Sequence, residues 1–133
     1  VEPAVPIRLR AAVALAALLL GPAALATAGG ERSPQVSHGA RLYAEHCAAC
    51  HGDDGRAGAG YQTPIWGQGA KIARFEHAMG LFEYNQMMMP FDDPTKMSDE
   101  DKWAVTAYIL ANHGAMTPSS ALAPAEAGTI AIR

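Results

Sequence analysis

The sequence predicts an all-α domain of three to five short helices joined by long loops. Three observations carry this. Apolar residues recur at helical spacing in separate stretches of the chain. No stretch alternates apolar and polar residues as a half-buried strand does. The 13 glycines and 9 prolines fall largely between the helical stretches and keep each of them short. At 133 residues the chain has room for one domain.

Residues 1–28 are expected to stand apart from that domain. Arg8 and Arg10 precede the uncharged run "AAVALAALLL", then Gly21-Pro22 and the small residues of "AALATA". That order is the pattern of a secretory signal, with cleavage expected after Ala26 or Ala28. The rival is an uncleaved membrane anchor over Ala11 to Ala28, a run of borderline length for spanning a bilayer. Residues 29–36, "GGERSPQV", read as a flexible leader. The domain is expected over 37–114.

From Ser37, a plausible N-cap, Ala40, Tyr43, Ala44 and Cys47 share one face of a first helix. "HGDDGRAGAG" and "YQTPIWGQG" are loop, broken by glycine and proline. A second helix lies in "ARFEHAMGLFEYNQM", with a broad apolar stripe of Met79, Phe82 and Gln86 beside Leu81, Tyr84 and Met88. Pro90 ends it at Met88 or earlier, because the residue before a proline avoids helical angles. "FDDPTKM" is an irregular connection. "SDEDKWAVTAYILANHG" is the clearest helix. Ser98 caps it, Asp101 stands in capping-box position, acidic residues fill the first turn, and Gly114 stops it. Its buried stripe is expected at Ala104, Val105, Tyr108 and Ala111 or Asn112. Residues 115–133 read as a flexible Pro/Ser/Ala tail.

The formal charge is −3, and the acidic excess grows once Arg8, Arg10 and Glu2 are set aside. Such a surface argues against a nucleic-acid partner, which needs a basic face. It suits steering toward a basic protein.

The only two cysteines, Cys47 and Cys50, stand in "CAACH" with His51 directly after. A disulfide here would close a very small loop and remove little chain entropy. A thioredoxin-like pair would want a βαβ pattern, which is missing. A structural zinc site would want four ligands, and there is no second cysteine pair. Covalent attachment of one haem c uses every residue of the motif. The two thiols form thioethers with the two vinyl groups, and the adjacent imidazole binds the iron. Export agrees, since haem c is attached outside the cytoplasm, and the expected location is the periplasm.

"CAACHG", the downstream "MP" and the helix "WAVTAYIL" resemble the class I c-type cytochromes, small monohaem proteins with histidine–methionine ligation. The resemblance covers roughly residues 37–114 and implies the cytochrome c fold, its helices wrapped around one haem. It matches Gly39 and Tyr43 to the place where the first helix crosses the last, and Tyr108 to the aromatic that meets them. It also implies that Met89 is the sixth ligand, opposite His51, because the family's ligand stands in such a Met-Pro pair. Pro90 independently pushes Met89 to extended angles, from which a long side chain can reach inward. Met87 and Met88 carry the same chemistry, and a register slip to either stays open. Met79, Met97 and Met116 read as core filler or tail, and His77 and His113 as solvated or capping residues.

In the family a backbone carbonyl after the motif accepts from the histidine's other ring nitrogen. "TPIWG" departs from the usual pattern by one position, so Thr63 or Pro64 could serve. Ile65 would pack on the haem. Trp66 either reaches a haem propionate or belongs to the core. The acids Asp53, Asp54, Asp92 and Asp93 read as solvated loop residues.

The resulting expectation is a one-electron carrier rather than an enzyme. It would take electrons from a dehydrogenase, of sulfur compounds or alcohols by the likeness of "PIWG" and "MPFDDP", and pass them to an oxidase or another cytochrome. The alternative is a fixed haem c subunit of a larger membrane-bound respiratory or photosynthetic complex, held by an uncleaved N-terminus. A haem-based gas sensor or peroxidase would need a vacant or labile sixth site.

Overall fold

A computed structural model describes residues 30–133. The expected signal or anchor over 1–28 lies outside the described residues. Four helices follow in order: α1 (Pro34–His46), α2 (Ala48–His51), α3 (Ala78–Met88) and α4 (Asp99–His113). A 3₁₀ turn, Ile72–Phe75, precedes α3, and another, Pro94–Lys96, precedes α4. Among the described residues the β pairing amounts to one isolated bridge, His77 to Ala131.

α1 starts earlier than the expected Ser37. Ser33 is the N-cap, and its hydroxyl accepts from the Val36 N–H at 3.1 Å. Pro34 takes the first helical position, where a missing N–H costs nothing. The expected flexible leader 29–36 therefore ends inside the helix, and Val36 is fully buried. The buried face is also rotated from the expected stripe. Val36, Gly39, Leu42 and Tyr43 face inward, while Ala44 is exposed. Longer side chains at 36 and 42 decide the face against the short alanines.

α1 crosses α4 in the largest helix–helix contact of the domain. Gly39 makes that approach possible: a Cβ there would sit 2.0 Å from the Ala104 carbonyl oxygen and 2.9 Å from Tyr108 Cβ. Since the obstacle is helical backbone, it cannot rotate away. Gly39→Ala is expected to lower unfolding free energy by about 3 kcal/mol, the upper end of overpacking costs. A denaturation midpoint matching the parent protein would show that the helices do not touch at this point.

α4 follows its expected signals closely. Ser98 Oγ accepts from the Asp101 N–H at 3.1 Å, three acids fill the first turn, and Gly114 closes the helix in the left-handed conformation. Its burial is wider than one stripe. Lys102, Ala104, Val105, Thr106, Ala107, Ile109 and Leu110 are all buried, because α1, α3 and the chain's last segment cover it on several sides.

That last segment corrects the expectation of a flexible tail over 115–133. Leu122, Ala127 and Ile132 are buried in the core. Gln35 brackets Leu122 with two hydrogen bonds, accepting from its N–H at 2.6 Å and donating to its carbonyl at 3.1 Å. The carbonyls of Ile130 and Ala127 accept from the N–H groups of Ala78 and Met79, at 2.9 and 3.1 Å. These are orphan donors at the start of α3, whose N-cap His77 makes no side-chain cap. The segment is thus a strap that caps α3 and crosses the start of α1. It has no helical or alternating period, so pattern alone hides it.

Candidate cofactor site

The CAACH motif sits where α1 turns into the four-residue α2. Tyr43, one turn before Cys47, donates its hydroxyl proton to the Gly52 carbonyl at 2.7 Å and so ties α1 to the motif's exit. Gly52 leaves with φ of 81°, and a Cβ there would stand 2.2 Å from the Ala57 carbonyl oxygen. The glycine-rich loop then folds back. The N–H groups of Gly60 and Tyr61 donate to the Cys50 carbonyl at 3.2 and 3.0 Å, and the Tyr61 ring meets the His51 ring edge-on at 5.2 Å.

Both cysteines are free. Burial, with a smaller contribution from neighbouring Cys50, pushes the Cys47 thiol up to about 12. Burial pulls the His51 imidazole below its ordinary value, which favours the neutral ring that binds metals. His51 Nδ1 is buried without a hydrogen-bond partner, and no other side-chain nitrogen or oxygen among the described residues shares that condition. The carbonyl of Thr63 or Pro64, expected as its acceptor, does not make the bond.

Cys47, Cys50 and His51 border a cavity of about 560 Å³, within the ~300–1,000 Å³ range of sites that bury a large ligand. Its walls are mostly apolar, with Ile65, Ile72, Phe75, Leu81, Met97, Val105 and Ile109 among them. Met89 also lines it, from the loop after α3. Its backbone is extended, with φ −126° and ψ 141°, while Met88 ends the helix. Met87 and Met88 are exposed and do not line the cavity.

The other expected site residues divide. Ile65 lines the cavity. Trp66 does not: it is buried in a cluster with Tyr43 and Tyr108, at ring distances of 5.0 and 5.6 Å. That packing is the core environment named in one of its two readings. His77 and His113 lie outside the lining. His113 Nδ1 accepts from the Gly67 N–H at 3.0 Å. Met97, read as filler, is a second thioether on the cavity wall. Sequence reasoning also missed Tyr61, Lys71, Arg74, Tyr84 and Lys102, all of them lining residues. Lys71 and Arg74 are exposed and stand at the rim. The Arg74 guanidinium lies 4.9 Å from the Phe75 ring centroid and 5.8 Å from that of Tyr84. A basic pair flanking the apolar Ile72 in "AKIARF" is the one signal that could have pointed to them.

An apolar hollow bounded by two free thiols, an orphaned neutral imidazole and two thioethers fits a haem held through Cys47 and Cys50 and ligated by His51. It does not fit a zinc site, and no group of three or more His, Cys, Asp or Glu among the described residues could hold a metal ion.

Residues 34–109 match the family model described as cytochrome c oxidase, cbb3-type, subunit III. The chain is 36% identical over 92 residues to a thiosulfate dehydrogenase of Stutzerimonas stutzeri, covering 62% of this chain and 29% of that protein. It is 34% identical over 90 residues to a thiosulfate dehydrogenase of Allochromatium vinosum, covering 60% of this chain and 32% of that protein. It therefore spans about a third of the length of these relatives. Among solved structures, the sulfane dehydrogenase SoxCD of Paracoccus pantotrophus superposes with a TM-score of 0.64 at 22% identity, covering 73% of this chain and 52% of that one; this likeness concerns the fold alone. Thiosulfate dehydrogenase TsdBA of Marichromatium purpuratum superposes with a TM-score of 0.50 at 29% identity, covering 61% of this chain and 19% of that one.

Proposed function

The chain belongs to the cbb3-type cytochrome c oxidase subunit III family of haem-binding c-type cytochrome domains, and on that premise we propose that it is a periplasmic one-electron carrier with a single covalently held haem c and His51/Met89 ligation. The observation that carries this reading is the shared cavity. Cys47, Cys50 and His51 come from the first third of the described chain and Met89 from its second half, yet all line one apolar hollow.

Bound there, haem supplies iron that cycles between ferric and ferrous. Cys47 and Cys50 would hold it in place. His51 and Met89 would both ligate the iron, leaving no place for a substrate, so the domain would serve as an electron-transfer unit rather than a catalyst. The apolar wall excludes water. Lys71 and Arg74 at the rim suit the two propionates. Phe91 lines the cavity yet is 79% exposed. Its exposed ring offers apolar surface at the cavity mouth that a redox partner would desolvate. Small transient complexes of this kind are usual for redox pairs.

The curated relatives are thiosulfate dehydrogenases, and their likeness supports a sulfur-compound dehydrogenase as electron donor. An oxidase or another cytochrome would be the acceptor. No helix among the described residues is long and apolar enough to cross a membrane.

The test is a spectrum and a titration on the holoprotein. We expect one haem per chain, a ferric far-red band from methionine ligation, and a reversible one-electron titration. Thiosulfate alone should not be turned over with an artificial acceptor. Turnover by this chain by itself, or a ferric spectrum lacking the band, would overturn the reading.

A further inference from the structure

We propose that Lys102 is a positioning residue for Met89: its ammonium, buried near the start of α4, clamps both ends of the loop that presents the methionine. The proposal rests on the His51/Met89 reading given above.

The observation is a buried lysine with an unusual pair of partners. Lys102 is 3% exposed. Its Nζ donates to the Gln86 carbonyl at 2.7 Å and to the Pro94 carbonyl at 2.6 Å. Gln86 lies in the last turn of α3 and Pro94 opens the second 3₁₀ turn. Met89 lies on the loop between them. Burying an ammonium is costly unless it is well bonded, so a cation here needs a reason.

The end of α3 supplies one. Its last-turn carbonyls lack helical partners and form the negative end of the helix dipole. α3 carries no basic residue in that turn. Lys102 brings the missing cation from another helix, through short charge-assisted bonds. Thr106, one turn further along α4 and fully buried, accepts from Asn85 Nδ2 at 3.0 Å. The Asn85 carbonyl in turn accepts from the Met89 N–H at 3.1 Å. One buried polar edge of α4 thus grips the loop before and after the methionine, and only Lys102 spans it.

The consequence is read at the iron. An external ligand such as cyanide can bind only when Met89 swings away, so its apparent affinity follows the fraction of open loop. Removing the clamp raises that fraction. In the ferric holoprotein, Lys102→Met should tighten cyanide binding at least ten-fold, weaken the far-red band and lower the reduction potential. Lys102→Gln keeps a donor for one of the two carbonyls and should give an intermediate effect; it decides the case if Lys102→Met does not accumulate with haem. Leu110→Ala, a buried α4 change outside the cavity wall, controls for general loss of stability and should leave cyanide affinity near the parent value. Parent-like affinity and potential in the Lys102 variants, or an equal shift in Leu110→Ala, would overturn the clamp. Met89→Ala, run alongside, tests the premise separately. If that variant keeps the band, the axial assignment fails; if it loses the band while the Lys102 variants match the parent, the clamp alone fails.

Discussion

Protein in which both Cys47 and Cys50 are replaced by alanine is expected to carry no covalent haem and to lose its fold. The single changes should each leave one thioether and a haem-stained band on a denaturing gel; the double change should leave none. Loss of folding follows from the cavity. Without its occupant, about 560 Å³ lined by Ile65, Ile72, Phe75, Leu81, Val105 and Ile109 stands open. Leu81, Val105 and Ile109 are also core residues, so the hollow is continuous with the core. A bound group that stabilises only the native state contributes its binding free energy to folding. Far-ultraviolet circular dichroism should show most helix lost. Covalent haem surviving the double change would refute the reading of the motif.

Met89→Ala is the second large effect. It should abolish the methionine–iron band, open the iron to cyanide and carbon monoxide, and lower the reduction potential by roughly 0.2 V, a fraction of the ~0.8 V that axial ligation spans. The controls are Met97→Ala and Met88→Ala. Met97 is the other thioether on the cavity wall, and Met88 is the neighbour whose side chain faces solvent. Both variants should keep the band. If Met97→Ala removed it, the ligand would come from the segment before α4 rather than from the Met-Pro pair.

Much of this was legible in the residues. Cys47, Cys50 and His51 were marked out by their spacing alone, and the structure brings all three to one cavity. The extended backbone of Met89 was legible because Pro90 acts on its neighbour. α4 was legible because its caps are local. What escaped depends on distant parts of the chain. Lys102 looks like a solvated residue in an acidic first turn, and only the carbonyls of Gln86 and Pro94 explain its burial. Trp66 was undecided until Tyr43 and Tyr108 closed around it. The strap over 115–133 has no period because it is held by a few separated buried side chains and by backbone groups bonded to Gln35 and to the start of α3. The start of α1 is a different kind of miss: Ser33-Pro34 is a local signal, outweighed by the glycines before it.

The strap and the α1–α4 crossing bear on the order of folding. Helical domains usually fold quickly because most of their contacts join near neighbours in sequence. Here Gln35 meets Leu122 across 87 residues, and His38 meets Asp101 across 63. Most of the chain must be gathered before those contacts form, and loop-closure entropy opposes that. These two closures are non-local contacts of the kind that slow folding, set among the local contacts of a helical domain. Residues 47–51 lie close to the start of the described chain, so a cofactor tethered there would give later segments a large apolar surface to condense on before either closure is made.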